Sequence, residues 1–484
     1  MLAEGIDYKE KYEEAMSEIA LLKFELKELK RLIYGTKSER FVPSSAPEQL
    51  NLGLGEEQAT APEKEEVVRF KRVKKETARK HPGRLPIPAH VPRVEEIVEP
   101  EEDTSGMKKI GEEVTEVLEY TTGKFHVRKI VRPKYAKPEG EGVAIGELPY
   151  RAIEKGIAGA SLVAFLVVSK YVDHLPLYRQ IQIFKREGLN FPSSTMSDWV
   201  KQGVNKLKIL YELHKKRTLQ AGYLMADETP IKVLDKDKKS KIHRGYYWVY
   251  YDPVGKQVLF DYRPGRGSEG PSDILKGFQG YLQCDGYNVY DMFANIKGIT
   301  LFHCMAHARR MFEKALDNDK ENAEHALKEF QKLYDIERKA REAGMSFEER
   351  KESRLDAKTT LDDLEEWMKN LYPNIAPRSP IGKALEYSLS RWERLSIYLE
   401  DGKLEIDNNL VENSIRPVAI GRKNYLFAGS HDAAQRAAQI YSLVASCKIN
   451  GVNPLEWMKD VLERIDNHPV NRLEELLPGK WVKL

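Results

Sequence analysis

Residues 223–234 (YLMADETPIKVL) are largely apolar and β-branched, and a charged turn at 235–241 closes the run. Two shorter apolar runs follow at 246–251 and 257–262, separated by Asp-Pro-Val-Gly. Apolar runs of this length between turn residues predict strands, here a three-stranded meander. Next come a helix-length segment at 268–278, a strand at 280–284, a short helical stretch at 288–294, a strand at 299–303 and a helix from Met305.

Three strands, a helix, a strand, a helix and a strand is the order of a ribonuclease H-like core. Asp227 lies inside the first strand and Asp285 at the end of the fourth, where Gly286 permits a sharp exit. In that architecture the two positions are neighbours. Far downstream, a helix beginning near Asp407 sets Asn409, Glu412 and Arg416 on one face by three- and four-residue spacing. We read Asp227, Asp285 and Glu412 as catalytic carboxylates of one metal site. A hard divalent cation such as Mg²⁺ takes oxygen ligands, and a pair of them clamps the attacking and leaving oxygens of a phosphoryl displacement. Asn409-x-x-Glu412 also fits a capping box, in which the glutamate needs no catalysis. Glu228, next to Asp227 on a strand, faces the opposite side and is not taken as a ligand.

Elsewhere the pattern is helical. Tyr8, Tyr12, Ala15, Ile19, Leu22, Leu26, Leu29 and Ile33 form a heptad seam, predicting a coiled coil over 1–41 or an amphipathic helix docked on its own chain. Residues 42–68 read as a polar linker. Over 69–140 a basic arm, with Arg69, Lys71, Arg72 and Arg84, leads into alternating strands. The arm suits phosphate or groove contacts, or is plain solvated linker. Residues 150–220 hold helices at 158–172 and 176–187, a turn at 188–192 and a third helix that Ser193 and Ser194 can cap. This is helix-turn-helix-like, with Thr195, Ser197, Asp198 and Lys201 as candidate DNA contacts, or an ordinary helical domain. Residues 312–404 form an all-α insertion, broken near 373–380, in which Trp367 and Trp392 are expected in the core. Residues 431–484 read as a C-terminal helical segment.

The stretches ADETPIKVL, LQCDGYNVY, CMAHARRMF, EIDNNLVENSIRPVAIGRKNYLFAGS and SLVASCKINGVNPLEWMKDVLERI closely resemble the large transposase of the insertion sequence 66 family, among the DDE transposases with a ribonuclease H-like core. The resemblance runs over nearly the whole chain. It implies a multidomain α/β protein: a mixed-sheet catalytic core over 221–311 and 405–430 with the helical insertion between, preceded by coiled coil, small β-module and helix-turn-helix-like domain. It implies two Mg²⁺ or Mn²⁺ ions per site, 3′-end cleavage and strand transfer on double-stranded DNA, and a homodimer or higher assembly with accessory proteins of the same element. Cys304 and His307 match a Cys-x-x-His carried after the last core strand, which puts His307 near the site with Asn409 and Arg416 in support. Arg309, Arg310, Arg422 and Lys423 are plausible phosphate contacts. The family's small module normally carries two cysteine pairs; here Thr104-Ser105-Gly106 and Lys137-Pro138 stand in their places, so no structural zinc is expected.

Composition adds limits. The chain of 484 residues with net charge +3 has room for several domains. It shows no apolar run of membrane-spanning length, and no secretory signal is read at its start. Three cysteines form no even framework, which points to a reducing bacterial cytosol. A stand-alone nuclease on the same core, or a DNA-binding protein with an inactive core, are the alternative functions. The heptad seam is expected to drive self-association, so glutamate at Leu22 and Leu29 should give a monomer by sedimentation.

Overall fold

The computed structural model describes residues 156–235, 237 and 241–483, together with Phe125, 134–136, 143–145 and 151–153. The chain divides into two compact units, 1–127 and 128–484, and apart from Phe125 the described residues belong to the second. The expected coiled coil, the linker, the basic arm with Arg69, Lys71, Arg72 and Arg84, and nearly all of the β-module lie outside the described residues.

Strands β1 (Lys134–Ala136) and β2 (Val143–Ile145) pair antiparallel. Helices α1 (Ala160–Tyr171), α2 (Leu177–Arg186), α3 (Ser193–Lys206) and α4 (Lys208–Leu219) come next. Ser193 and Ser194, expected to cap α3, instead form its first turn; Pro192 is the N-cap and no side chain caps the helix. Proline's fixed φ suits that entry. Met196, Trp199, Val200 and Val204 of α3 are buried, while Ser197 and Lys201 stay exposed and Thr195 half-buried.

The sheet is built from β3 (Tyr223–Leu234), β4 (Ile242–Asp252), β5 (Gln257–Arg263), β6 (Gly280–Cys284) and β7 (Ile299–His303), in the order β5-β4-β3-β6-β7. The β5-β4-β3 pairs are antiparallel and the β3-β6-β7 pairs parallel. β4 starts earlier than its apolar run because residues 242–245 pair with 231–234 of β3. The helix expected at 268–278 shortens to α5 (Glu269–Ile274), with Gly277 beyond it at φ +83°. The stretch Asn288–Asn295 is a 3₁₀ helix. Side chains alternate along β3: Tyr223, Met225, Ile231 and Val233 join one buried cluster, and Leu224 and Ala226 join another. The sheet is therefore covered on both faces.

After α6 (Met305–Ala315) the insertion contributes α7 (Lys320–Glu342), α8 (Phe347–Ser353), α9 (Leu355–Leu371), α10 (Pro380–Leu389) and α11 (Trp392–Ser396). The expected break falls at a 3₁₀ turn, Tyr372–Asn374, and Ser379 caps α10. Trp392 is buried, and Trp367 packs on the core with the His325 ring 4.5 Å away between centroids. Helices α12 (Asn409–Tyr425), α13 (His431–Ile449) and α14 (Pro454–Arg464) complete the chain, with Gly451 at φ +69° between the last two. No helix among the described residues is long and apolar enough to cross a membrane.

Strand β5 ends the sheet, yet side chains satisfy its outer backbone groups. The N–H groups of Val258 and Phe260 donate to Ser446 and Ser442 Oγ of α13 at 3.0 and 2.8 Å. Tyr211 of α4 donates to the Phe260 carbonyl at 3.0 Å, and His214 Nε2 lies 2.8 Å from that of Val258. A covered edge cannot pair with another chain. Burial pushes the His214 pKa down from 6.5 to about 4, against the pull of the Val258 carbonyl. Its folded pKa is depressed, so its contribution is present above pH 6.5 and lost as pH falls toward 4. Relative to His214→Gln, the wild type should lose roughly 3 kcal/mol across that window, read as the difference between two urea-melt series. Parallel pH profiles would mean that His214 protonates without strain.

Candidate active site

Strands β3 and β6 run parallel in the register Tyr223↔Tyr281, Leu224↔Leu282, Met225↔Gln283. Carried two residues further, that register sets Asp285 beside Asp227. The pairing of Cys284 with His303 brings Cys304 to the same edge. Sites of open α/β sheets form there, at the carboxyl ends of parallel strands. Gly286, at φ +88°, turns the chain out after Asp285, and Asp285 Oδ1 accepts the N–H of Tyr287 at 2.8 Å. Only a residue without Cβ adopts that φ freely.

Glu412 reaches the same edge because α12 is held at both ends. Before it, Met305 N donates to the Ile406 carbonyl at 3.1 Å, and Asn408 N donates to Cys304 Sγ at 3.3 Å. After it, Leu234 N donates to the Ala428 carbonyl at 2.9 Å, and Ala428 N to that of Lys232 at 2.8 Å. The Arg422 guanidinium donates to the Pro230 carbonyl of β3. The capping box does not form: Asn408 is the N-cap with no side-chain cap bond, and Asn409 Nδ2 donates to Asp407 Oδ2 at 2.9 Å. The Glu412 carboxylate stands 3.9 Å from His307 Nε2 and 4.0 Å from Arg310 Nη2.

The electrostatics tie the three carboxylates together. Burial pushes the Asp227 carboxyl well above the usual range, and the charges of Glu228, Asp285 and Glu412 push it further. The N–H of Glu228, donating to Asp227 Oδ1 at 2.7 Å, works against them. Burial, then Arg310, lowers His307 to about 4, so it is neutral at pH 7 and offers the cluster no charge. Burial likewise raises the Cys304 thiol, which acts as a hydrogen-bond acceptor for the entry to α12. Among the described residues, no three His, Cys, Asp or Glu side chains converge closely enough to bracket an ion as they stand. The donor chemistry nonetheless fits a hard cation: three carboxylates, of which half-buried Asp227 has its pKa raised by burial and by the other two.

The other expected residues divide. Arg310 faces Glu412, whereas Arg309 pairs with Glu313 at 2.9 Å on its own helix. Arg422 turns inward and docks α12 on β3, while Lys423 remains exposed. Arg416 sits half-buried one turn beyond Glu412. On the other face of β3, Glu228 accepts from Arg266 Nη2 at 2.6 Å, and that guanidinium lies 4.2 Å from the Tyr287 ring.

Sequence patterns missed the support for segment 401–408. Arg354, buried in the insertion, donates to Glu337 Oε1 at 2.6 Å, to the Leu404 carbonyl at 2.6 Å and to that of Asp401 at 2.8 Å. Arg350 makes a fork onto Glu405 at 2.8 and 2.7 Å. From the sheet, Gln283 Nε2 donates to the Glu405 carbonyl at 3.0 Å, and Tyr223 accepts the Glu405 N–H at 3.1 Å. In sequence Arg350 and Arg354 look like surface charges on a helix, and nothing local distinguishes them.

Fold and site together define a mixed α/β protein with an acidic cluster at the carboxyl ends of its parallel strands. The chain belongs to the family described as Transposase IS66 family, whose model matches residues 155–436. The IS66 C-terminal element matches 442–478, and a model described as Transposase C of IS166 homeodomain matches 21–95. Similar proteins from Sinorhizobium fredii (strain NBRC 101917 / NGR234) include uncharacterized protein y4hP, 32% identical over 96% of this chain and 89% of its own. Uncharacterized protein y4qI of the same strain is 34% identical over 96% of this chain and 90% of its own.

Proposed function

We propose that the chain is a DDE transposase with a ribonuclease H-like core, cleaving the 3′ ends of an insertion sequence and joining them to target DNA. The observation that carries the reading is the register that sets Asp285 beside Asp227, with Glu412 in the same electrostatic field. The strand order β5-β4-β3-β6-β7, antiparallel then parallel, is the order of such cores and supports it.

In the first step water's oxygen bonds to the scissile phosphorus, the P–O3′ bond breaks, and the proton lost by water ends on the departing 3′ oxygen. In the second, the oxygen of that 3′-hydroxyl bonds to a target phosphorus, the target P–O3′ bond breaks, and the proton lost by the hydroxyl ends on the departing 3′ oxygen. Two Mg²⁺ or Mn²⁺ ions held by Asp227, Asp285 and Glu412 would supply Lewis-acid charge to the phosphate and to the oxygens exchanged there. Burial and the neighbouring carboxylates disfavour the Asp227 charge, which a bound cation would answer. Arg310 holds its guanidinium at the Glu412 side of the site, where a phosphate can meet it, and donates to neutral His307 at 3.4 Å.

The partner is double-stranded DNA, read from the family, from the match at 21–95 and from exposed Ser197, Lys201 and Lys423. Two ends need two sites, so a dimer or higher assembly in the bacterial cytosol is part of the proposal. The test is a strand-transfer assay with Mg²⁺ on duplexes carrying the element's own ends plus a target plasmid. Joined products are expected. Nicks without joining would point to a stand-alone nuclease, and binding without nicks to an inactive core.

A further inference from the structure

Residue Arg391 lies between α10 and α11, directly over the turn that follows Asp285. Three observations place it there. Tyr387 OH donates to the Asp285 carbonyl at 2.8 Å. The Arg391 guanidinium lies 4.4 Å from the centroid of the Tyr387 ring. A Cβ added to Gly286 would come within 3.0 Å of both Arg391 Nε and Tyr387 OH. The helical insertion thus places a cation against the backbone of the second carboxylate.

Among the described residues no acid pairs with Arg391, and its side-chain hydrogen bond goes to Ser390 Oγ at 3.0 Å. Its neighbour Arg394 shows the contrast: it is paired with Asp291 at 2.8 Å. His303 is buried nearby with neither ring nitrogen bonded, and burial, then Arg394 and Arg391, hold it neutral with a pKa of about 4. Arg391 is only half-buried, so solvent reaches it. A guanidinium stacked on a ring has its plane set and its N–H fork left for a bidentate acceptor, and the oxygens of a phosphodiester match that fork.

We propose that Arg391, stacked on Tyr387, binds a phosphate of the DNA strand at the Asp285 side of the site. This rests on the transposase reading and adds a substrate-binding residue that the insertion delivers. Gly286 then has a second reason to lack a side chain: a Cβ there would crowd Arg391 Nε and Tyr387 OH at 3.0 Å.

The full-length chain, a labelled duplex with the element's ends and a salt series in metal-free buffer provide the test. Arg391→Ala should lower the slope of log affinity against log salt by about one, as for loss of one phosphate contact. With Mg²⁺, its nicking rate should fall on the order of a hundredfold, with partial recovery in Arg391→Lys. Arg391→Gln, which keeps a flat side chain on the ring, should show the same loss of slope with a thermal midpoint near the wild type's. Arg394→Ala, which removes an arginine already paired, should leave the slope unchanged. Wild-type slope and nicking rate in Arg391→Gln would overturn the inference. A wild type that binds the duplex but never nicks would overturn the functional reading alone, since the slopes still decide on Arg391. No binding by the wild type overturns both.

Discussion

Alanine at Asp227, Asp285 or Glu412 is expected to stop nicking and joining, each by at least about a hundredfold, while duplex affinity stays near the wild type's. The three side chains come from β3, from the turn after β6 and from the first turn of α12, yet Asp285 and Glu412 both raise the Asp227 carboxyl. On the proposed function each variant removes a carboxylate oxygen from a hard cation, which prefers oxygen to the His307 nitrogen, and the Cys304 sulfur is buried against Asn408. Phosphate affinity rests on arginines and lysines elsewhere and should survive. Asp227→Asn sharpens the comparison. It removes a charge that burial and three carboxylates disfavour, so the folded chain should melt no lower than the wild type without divalent ions. Any one of these variants nicking at near-normal rate with Mg²⁺ would show that its residue is no ligand.

Replacing Arg354 by methionine should cost about 3–5 kcal/mol of stability, the largest effect expected away from the carboxylates. Its side chain is 1% exposed and that of its partner Glu337 2% exposed. Without the guanidinium, Glu337 keeps only Arg350, and the carbonyls of Tyr398, Asp401 and Leu404 lose a donor. Breaking one side of a buried pair is costly because the other charge stays in low dielectric. The double variant Arg354→Met/Glu337→Leu should recover much of the loss. Urea unfolding of the single and double variants decides the matter; a single variant within about 1 kcal/mol of wild type, the size of an exposed pair, would mean that the network is not holding the segment. Because residues 401–408 lead directly into α12, the single variant should also blunt nicking by loosening Glu412.

Much of the core was legible from period alone. The bounds of β3, β6 and β7 and the start of α6 coincide with the apolar runs, because a strand covered on both faces needs an unbroken apolar or β-branched stretch. The helical insertion followed from its spacing in the same way, and the C-terminal segment was read as helical without its division into two helices being settled. The start of β4, the short α5 and the cap of α3 were not legible. The first depends on register with β3, the second on Gly277, and the third on a proline that took the position expected of a serine.

The candidate carboxylates were named by the sequence because their local settings differ from an ordinary surface: an aspartate inside an apolar strand, an aspartate before a turn glycine, and a glutamate in an asparagine-rich helix start. What the sequence could not contain is the scaffold that brings the third to the other two. Arg350, Arg354, Tyr387 and Arg391 lie in a helical stretch, on helices or at their ends, whose charges look solvated in one dimension, and Arg422 reads as a surface cation before its guanidinium is seen on the Pro230 carbonyl. Periodicity reports which face of an element is buried, so it determined the strands and the helices and the elements on which the candidate acids lie. Which side chain from a distant helix meets that face depends on long-range packing, and the tertiary structure alone decided that.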